Sequence, residues 1–183
     1  MNPIALGLIG YSIHQTALTI GMEVERHDKF REARAMADYL GRPLLVVGGP
    51  FGTSGIRKAI GLPAHRHGDI CVDLDAESCG EAHFIQADVR ELPFEDGEFG
   101  AVFNSHVLEH LDSCEGAYQA ISEMHRVGGG AGRVFTCVPP KSQLAAVLAP
   151  GHRLWVRELD GGMGWRIEDR RTRERMEIVL WAT

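Results

Sequence analysis

The sequence has no C-x-x-C pair, and its four cysteines, Cys71, Cys79, Cys114 and Cys137, are spread through the chain. The paired spacing of structural zinc sites is therefore missing, so His65 and His67 in "PAHRHGD" are expected to be loop histidines and no metal is expected. A basic leader ahead of an apolar core is missing too. The thiols are accordingly expected to stay reduced in a cytoplasmic protein. Excess positive charge is absent, with a net charge of -6 and a pI near 5.8, which removes the general electrostatic footprint of a nucleic-acid binder. No internal repeat or low-complexity tract suggests a solenoid. Residues 4–21 are apolar, but His14, Gln15, Thr16 and Thr19 interrupt them. A membrane span is not expected there. An N-terminal helix packing on the domain, or pairing two copies into a homodimer, is the expectation.

What is present suits one α/β domain, since 183 residues with 44% hydrophobic content bury a single sizeable core. Apolar residues recur at helical spacing over residues 22–40, and Gly41-Arg42-Pro43 stops the pattern. "PLLVVGG" then reads as a central parallel strand, β-branched and without polar alternation. "GTSGIRKAIG" reads as a turn and short helix, and "DICVDLD", "HFIQAD" and "FGAVFNSH" as strands. The helix "CEGAYQAISEMHRV" and the strand "GRVFTCVPP" complete the alternation. A Rossmann-like, doubly wound, mostly parallel sheet follows, within a domain of residues 22–183 behind an extension of residues 1–21. Beyond Pro140, "KSQLAAVLAP" fits a short helix. "HRLWVREL" and "RERMEIVLWAT" fit two strands joined by a turn-rich charged segment, forming an antiparallel C-terminal edge.

The chemistry starts at Gly48, Gly49, Gly52 and Gly55, between the best strand and a helix. Glycines there let the backbone turn tightly and let a ligand approach, although a turn that merely packs strand on helix has the same pattern. Asp73, at the end of the next strand, is placed to accept hydrogen bonds from ribose hydroxyls, with Asp75 as the rival. His106 and His110 flank Glu109 near the end of the fourth strand. His106 sits closer to the strand end and is the candidate proton acceptor, while Glu109 and His110 are expected to cap or face the following helix.

The stretch "QADVRELPFEDGEFGAVFNSHVLEHL" closely resembles the class I S-adenosylmethionine-dependent methyltransferases of the small-molecule type. Their pattern "D-x-x-x-L-P-F-x-D-x-x-F-D-x-V" is matched by Asp88, Leu92, Pro93, Phe94, Asp96, Phe99 and Val102, and "V-L-E-H" by Val107, Leu108, Glu109 and His110. "EMHRVGGGAGRVFTCVPP" is similar to the family's approach to the fifth strand. The resemblance implies S-adenosylmethionine as cofactor and a small-molecule acceptor. It also implies that Gly48, Gly49 and Gly52 border the methionine moiety, that Asp73 binds the ribose, and that Asp88 and Val89 meet the adenine. Asn104 and Ser105 would then lie where methyl donor and acceptor meet. The chain departs from the family at Val46, where an acid is usual, at Pro50, where a third glycine is usual, and at Gly100, where aspartate is common. Those departures leave a second reading, a binding or scaffold protein with weak or no cofactor binding. A short-chain oxidoreductase fits less well, because none of Tyr11, Tyr39 and Tyr118 has a lysine four residues later.

Overall fold

The structure is a computed structural model in which residues 2–52, 59–80, 83–149, 151–159 and 164–179 are described. Gly55 and most of the short helix expected after it lie outside those residues.

Helix α1 runs unbroken over Pro3–Leu40. Asn2 caps it, its side chain accepting from the Ile4 amide at 3.0 Å, and Pro3 stands at the first turn, where a missing amide costs nothing. Gly41, at φ 62°, ends it in a left-handed cap. The boundary expected near residue 21 does not interrupt the helix, since one interior glycine costs only about 1 kcal/mol. The two halves of α1 differ in their surroundings. Phe30, Ala33 and Ala37 of the second half pack on Leu44, Val46, Ala101 and Phe103 of the sheet. In the first half Ile4, Leu8, Ile13 and Ile20 are exposed. That half touches the domain through Gln15, whose side chain accepts from the Leu144 amide at 2.8 Å. By length and composition α1 is apolar enough to cross a membrane.

Five parallel strands form the main sheet: β1 (Leu44–Val47), β2 (Ile70–Asp73), β3 (His83–Gln86), β4 (Ala101–Ser105) and β5 (Val134–Cys137). Their order is β3-β2-β1-β4-β5, so the winding reverses between β1 and β4. A crevice opens outside the carboxyl ends of strands at such a reversal. Helix α2 (Ala76–Cys79) follows β2, and α3 (Cys114–Gly128) covers the face opposite α1 with Ala117, Ile121 and Met124. The short helix expected after Pro140 is α4 (Leu144–Leu148).

The C-terminal strands are antiparallel as expected, but they form a sheet of their own: β6 (Leu154–Glu158), β7 (Gly164–Asp169) and β8 (Arg175–Val179). Leu154, Val156, Trp165, Ile167 and Ile178 of this sheet share one apolar core with α3. Strand β7 stood in the segment that reads as charged and turn-rich. Its Glu168 and Asp169 are buried because Lys141 at 2.6 Å and Arg153 at 2.8 Å neutralise them, so charge hid the strand.

One expectation about cysteine is corrected. Cys71 of β2 and Cys79 of α2 are joined by a disulfide, with their Cα atoms 5.9 Å apart. Cys114 and Cys137 are free and buried. The eight-residue separation carries no signal of its own, because only the return of α2 over β2 brings the two side chains together.

Candidate active site at the carboxyl ends of β1 and β4

A crevice of about 610 Å³ opens at the point where the sheet reverses. Gly48, Gly49 and Gly52 line it, as do Asp73, Asp88, Val89 and His106. Asn104 does not, because it is fully buried in β4 with its amide 3.5 Å from the Val47 carbonyl oxygen. Its neighbour Ser105 reaches the crevice instead.

On the β1–β2 side, glycine is required by contact. A Cβ on Gly48, which sits at φ 83°, would lie 2.3 Å from Val107 Cγ2, and one on Gly49 would lie 2.0 Å from the Ser78 carbonyl oxygen. The amides of this turn are already engaged. Gly48 donates to Val72 (2.9 Å), Phe51 to Ser78 (3.1 Å) and Gly52 to Gly49 (3.0 Å). The Gly49 amide donates to Asp73 Oδ2 at 2.9 Å, and Pro50 has no amide to offer. Asp73 Oδ1 accepts from the Asp75 amide at 3.0 Å. Asp75 in turn caps α2, accepting from Glu77 at 3.0 Å, which gives this rival a structural task. Asp88 is gripped by Arg90, with 2.6 Å between Nη2 and Oδ2. The hydrogen bonds from Arg90 hold the Asp88 carboxyl below its usual range.

On the β4 side, His106 has φ 59°, one of two non-glycine residues with positive φ among those described. Its amide donates to the Cys137 carbonyl at 3.0 Å, fixing the bend right after β4. Nδ1 of His106 lies 3.0 Å from Oε1 of Glu109. Glu109 sits in a single 3-10 turn, Leu108–His110, and is 1% exposed. The helix cap expected of Glu109 and His110 belongs to Ser113, whose hydroxyl accepts from the Gly116 amide at 3.0 Å. Nδ1 of His110 donates to the Gly151 carbonyl at 3.2 Å, and the His110 and His152 rings meet edge to face at 4.7 Å. His152 precedes β6, and the Arg153 amide donates to the Glu109 carbonyl at 2.7 Å, tying the small sheet to this turn. Arg26 of α1 is buried at the crevice wall, donating to Ser105 Oγ at 3.0 Å and to Glu23 at 2.9 Å. His65 is wedged between Phe30 and Phe103, and burial lowers its pKa to about 4.

Residues 64–136, from just before β2 to within β5, match the family of methyltransferase domains. The chain carries that match over 73 of its 183 residues. Among solved structures it is similar to the PH0226 protein of Pyrococcus horikoshii, at 16% identity and a TM-score of 0.39, covering 82% of this chain and 74% of that one. It is also similar to an S-adenosylmethionine-dependent methyltransferase of Thermotoga maritima, at 18% identity and a TM-score of 0.33, covering 57% of this chain and 48% of that one. No curated protein matches it.

Two residues, Arg26 on the crevice wall and His152 beside it against His110, have no signal in the sequence. Arg26 lies 22 residues before Gly48, in a helix whose polar positions look solvated until the helix packs across the strand ends. His152 stands 42 residues after His110, and only the antiparallel sheet brings them together. Neither follows from local spacing.

Proposed function

We propose that the crevice holds S-adenosylmethionine and that the methyl acceptor is a small molecule entering on the β4 side. The observation that carries this reading is the meeting of Gly48, Gly49, Asp73, Asp88 and Val89 in one crevice of about 610 Å³, within the size range of small-ligand pockets. Asp73 is placed for the ribose, and Asp88 with buried Val89 for the adenine. Because the described amides of the glycine turn are engaged within the protein, the amino-acid end of the cofactor needs another partner. Arg26 is the candidate: a buried guanidinium on the crevice wall, suited to a carboxylate, that would share or exchange its contact with the part-exposed Glu23.

The bound cofactor supplies an electrophilic methyl group on a sulfonium. Transfer is an in-line displacement whose acceleration comes largely from positioning. His106, held by Glu109 at 3.0 Å, is the group placed to take a proton from the acceptor.

Calorimetric titration with S-adenosylhomocysteine tests the reading. Wild type is expected to bind, and Asp73→Ala and Arg26→Lys are each expected to weaken binding about tenfold or more, the loss of one charged hydrogen bond. Unchanged affinity in both variants would show the pocket to be misassigned. No heat from wild type at high protein concentration would favour the scaffold reading.

A further inference from the structure

The β4 side of the crevice carries a second set of donors that methyl transfer does not by itself require. We propose that Glu109, His110 and His152 bind one divalent metal ion of the zinc class at the rim of the crevice. One ligand atom from each of the three lies within 4.8 Å of the other two. A tetrahedral zinc site, with bonds of about 2.0–2.1 Å, holds its ligand atoms about 3.3 Å apart. Closing the remaining distance of about 1.5 Å or less takes side-chain rotation alone, since two of the three side chains are partly or fully exposed.

The polar accounting supports the site independently of that proximity. Glu109 is 1% exposed, yet neither of its carboxylate oxygens has a well-directed hydrogen bond. Nδ1 of His152 is likewise buried without a partner. A buried carboxylate without a well-directed hydrogen bond is costly, and beside two imidazoles a cation is the ligand that removes the cost. His110 is already oriented as a ligand. Its Nδ1 gives its proton to the Gly151 carbonyl, which leaves the lone pair on Nε2, the arrangement found behind metal-bound histidines. His106, near Oε1 of Glu109, leaves Oε2 for the metal.

Two histidines and a carboxylate are a borderline donor set, better suited to zinc-like ions than to magnesium or calcium. Three protein ligands leave one coordination position open. His110 lines the crevice, so that position is within reach of an acceptor hydroxyl or thiol, a role that rests on the methyl-transfer reading. These are not His65 and His67, the histidines that the sequence alone brings forward for metal. They come from two segments joined by the small sheet.

The test is titration of chelator-treated, metal-free protein with Co²⁺, read by its visible absorption, without methyl donor. Wild type is expected to take up one Co²⁺ per chain, displaced by Zn²⁺ and not by equimolar Mg²⁺. Glu109→Gln and His152→Ala are expected to lose the band. His106→Ala is expected to weaken binding about 10–100-fold, as loss of a supporting contact does, and His67→Ala to leave it unchanged. Circular dichroism confirms that the variants are folded. Should Glu109→Gln fail to fold, partly exposed His152 keeps the test standing. Absence of the band in wild type, its survival in His152→Ala, or displacement by Mg²⁺ would each overturn the site. Separate titration of His152→Ala with S-adenosylhomocysteine is expected to match wild type, so that failure of the metal site and failure of the methyl-donor reading are told apart.

Discussion

The two walls of the crevice meet their polar demands in opposite ways. On the β1–β2 wall donors and acceptors are paired within the protein: turn amides with carbonyls and Asp73, Asp73 with Asp75, and Asp88 with Arg90. On the β4 wall the buried Glu109 carboxylate has a 3.0 Å contact with His106 but no well-directed hydrogen bond, a buried ring nitrogen of His152 has no hydrogen-bond partner, and His106 is held in a left-handed backbone conformation. A site that stores strain and unmet polarity points to ligand chemistry, whereas a satisfied wall points to a preformed frame. The family-like motif spans both walls, with Asp88 on one and Glu109 and His110 on the other, and only the β4 wall leaves polar groups unmet.

The largest expected effect separates frame from site by a pair of glycine substitutions. Gly49→Ala drives a Cβ to 2.0 Å from the Ser78 carbonyl oxygen, a backbone atom that no side-chain rotation can move. It is expected to cost more than about 3 kcal/mol, read as a fall in the urea midpoint at constant slope. Gly151→Ala meets the His110 ring at 3.2 Å, and the ring can yield by a few tenths of an ångström. Its cost is expected below about 1 kcal/mol, within the range of ordinary surface substitutions. Equal losses from the two variants would break the contrast between the walls.

His65 joins the walls, since it precedes β2 in the chain yet packs against Phe103 of β4. Burial lowers its folded pKa from 6.5 to about 4. Between those values the unfolded chain binds a proton that the folded one refuses. Its contribution is therefore complete above pH 6.5 and is lost progressively down to about pH 4, amounting to about 3 kcal/mol at 1.36 kcal/mol per pH unit. The measurement is the unfolding free energy of wild type and His65→Gln across that range. The wild-type profile is expected to be steeper by this amount, and parallel profiles would show that His65 is not held neutral.

The difference between the walls also explains what the sequence disclosed. The parallel sheet was legible because β1 is a continuous apolar run and β4 opens with one, and the β1–β2 side of the crevice because Gly48, Asp73 and Asp88 stand at or just after strand ends. Asn104 is the exception on that list: alternation along β4 sends it into the interior and Ser105 toward the crevice. The β4 wall was half legible. His106 could be singled out from its place after the strand, but Arg26 and His152 arrive from distant segments, and pattern along the chain carries no information about such meetings. Strand β7 and the Cys71–Cys79 bond were hidden for the same kind of reason, charge neutralised across strands in one case and chain return in the other.

The smallest expected effect tests whether the β1–β2 wall is closed by its own pairing. On the proposed reading Asp88 would turn from Arg90 to the adenine amino group, and that exchange would cost part of the ion pair. Both side chains are about one-third exposed, so the pair is worth at most about 1 kcal/mol. Arg90→Ala is therefore expected to tighten S-adenosylhomocysteine binding by up to about fivefold, while Asp88→Ala weakens it. Tightening would mean that the frame competes with its ligand, so that the satisfied wall lowers affinity as well as setting geometry. Weakening in Arg90→Ala would instead make Arg90 part of the adenine site, holding Asp88 in its working position. The two walls would then differ in what they bind and not in whether they are satisfied.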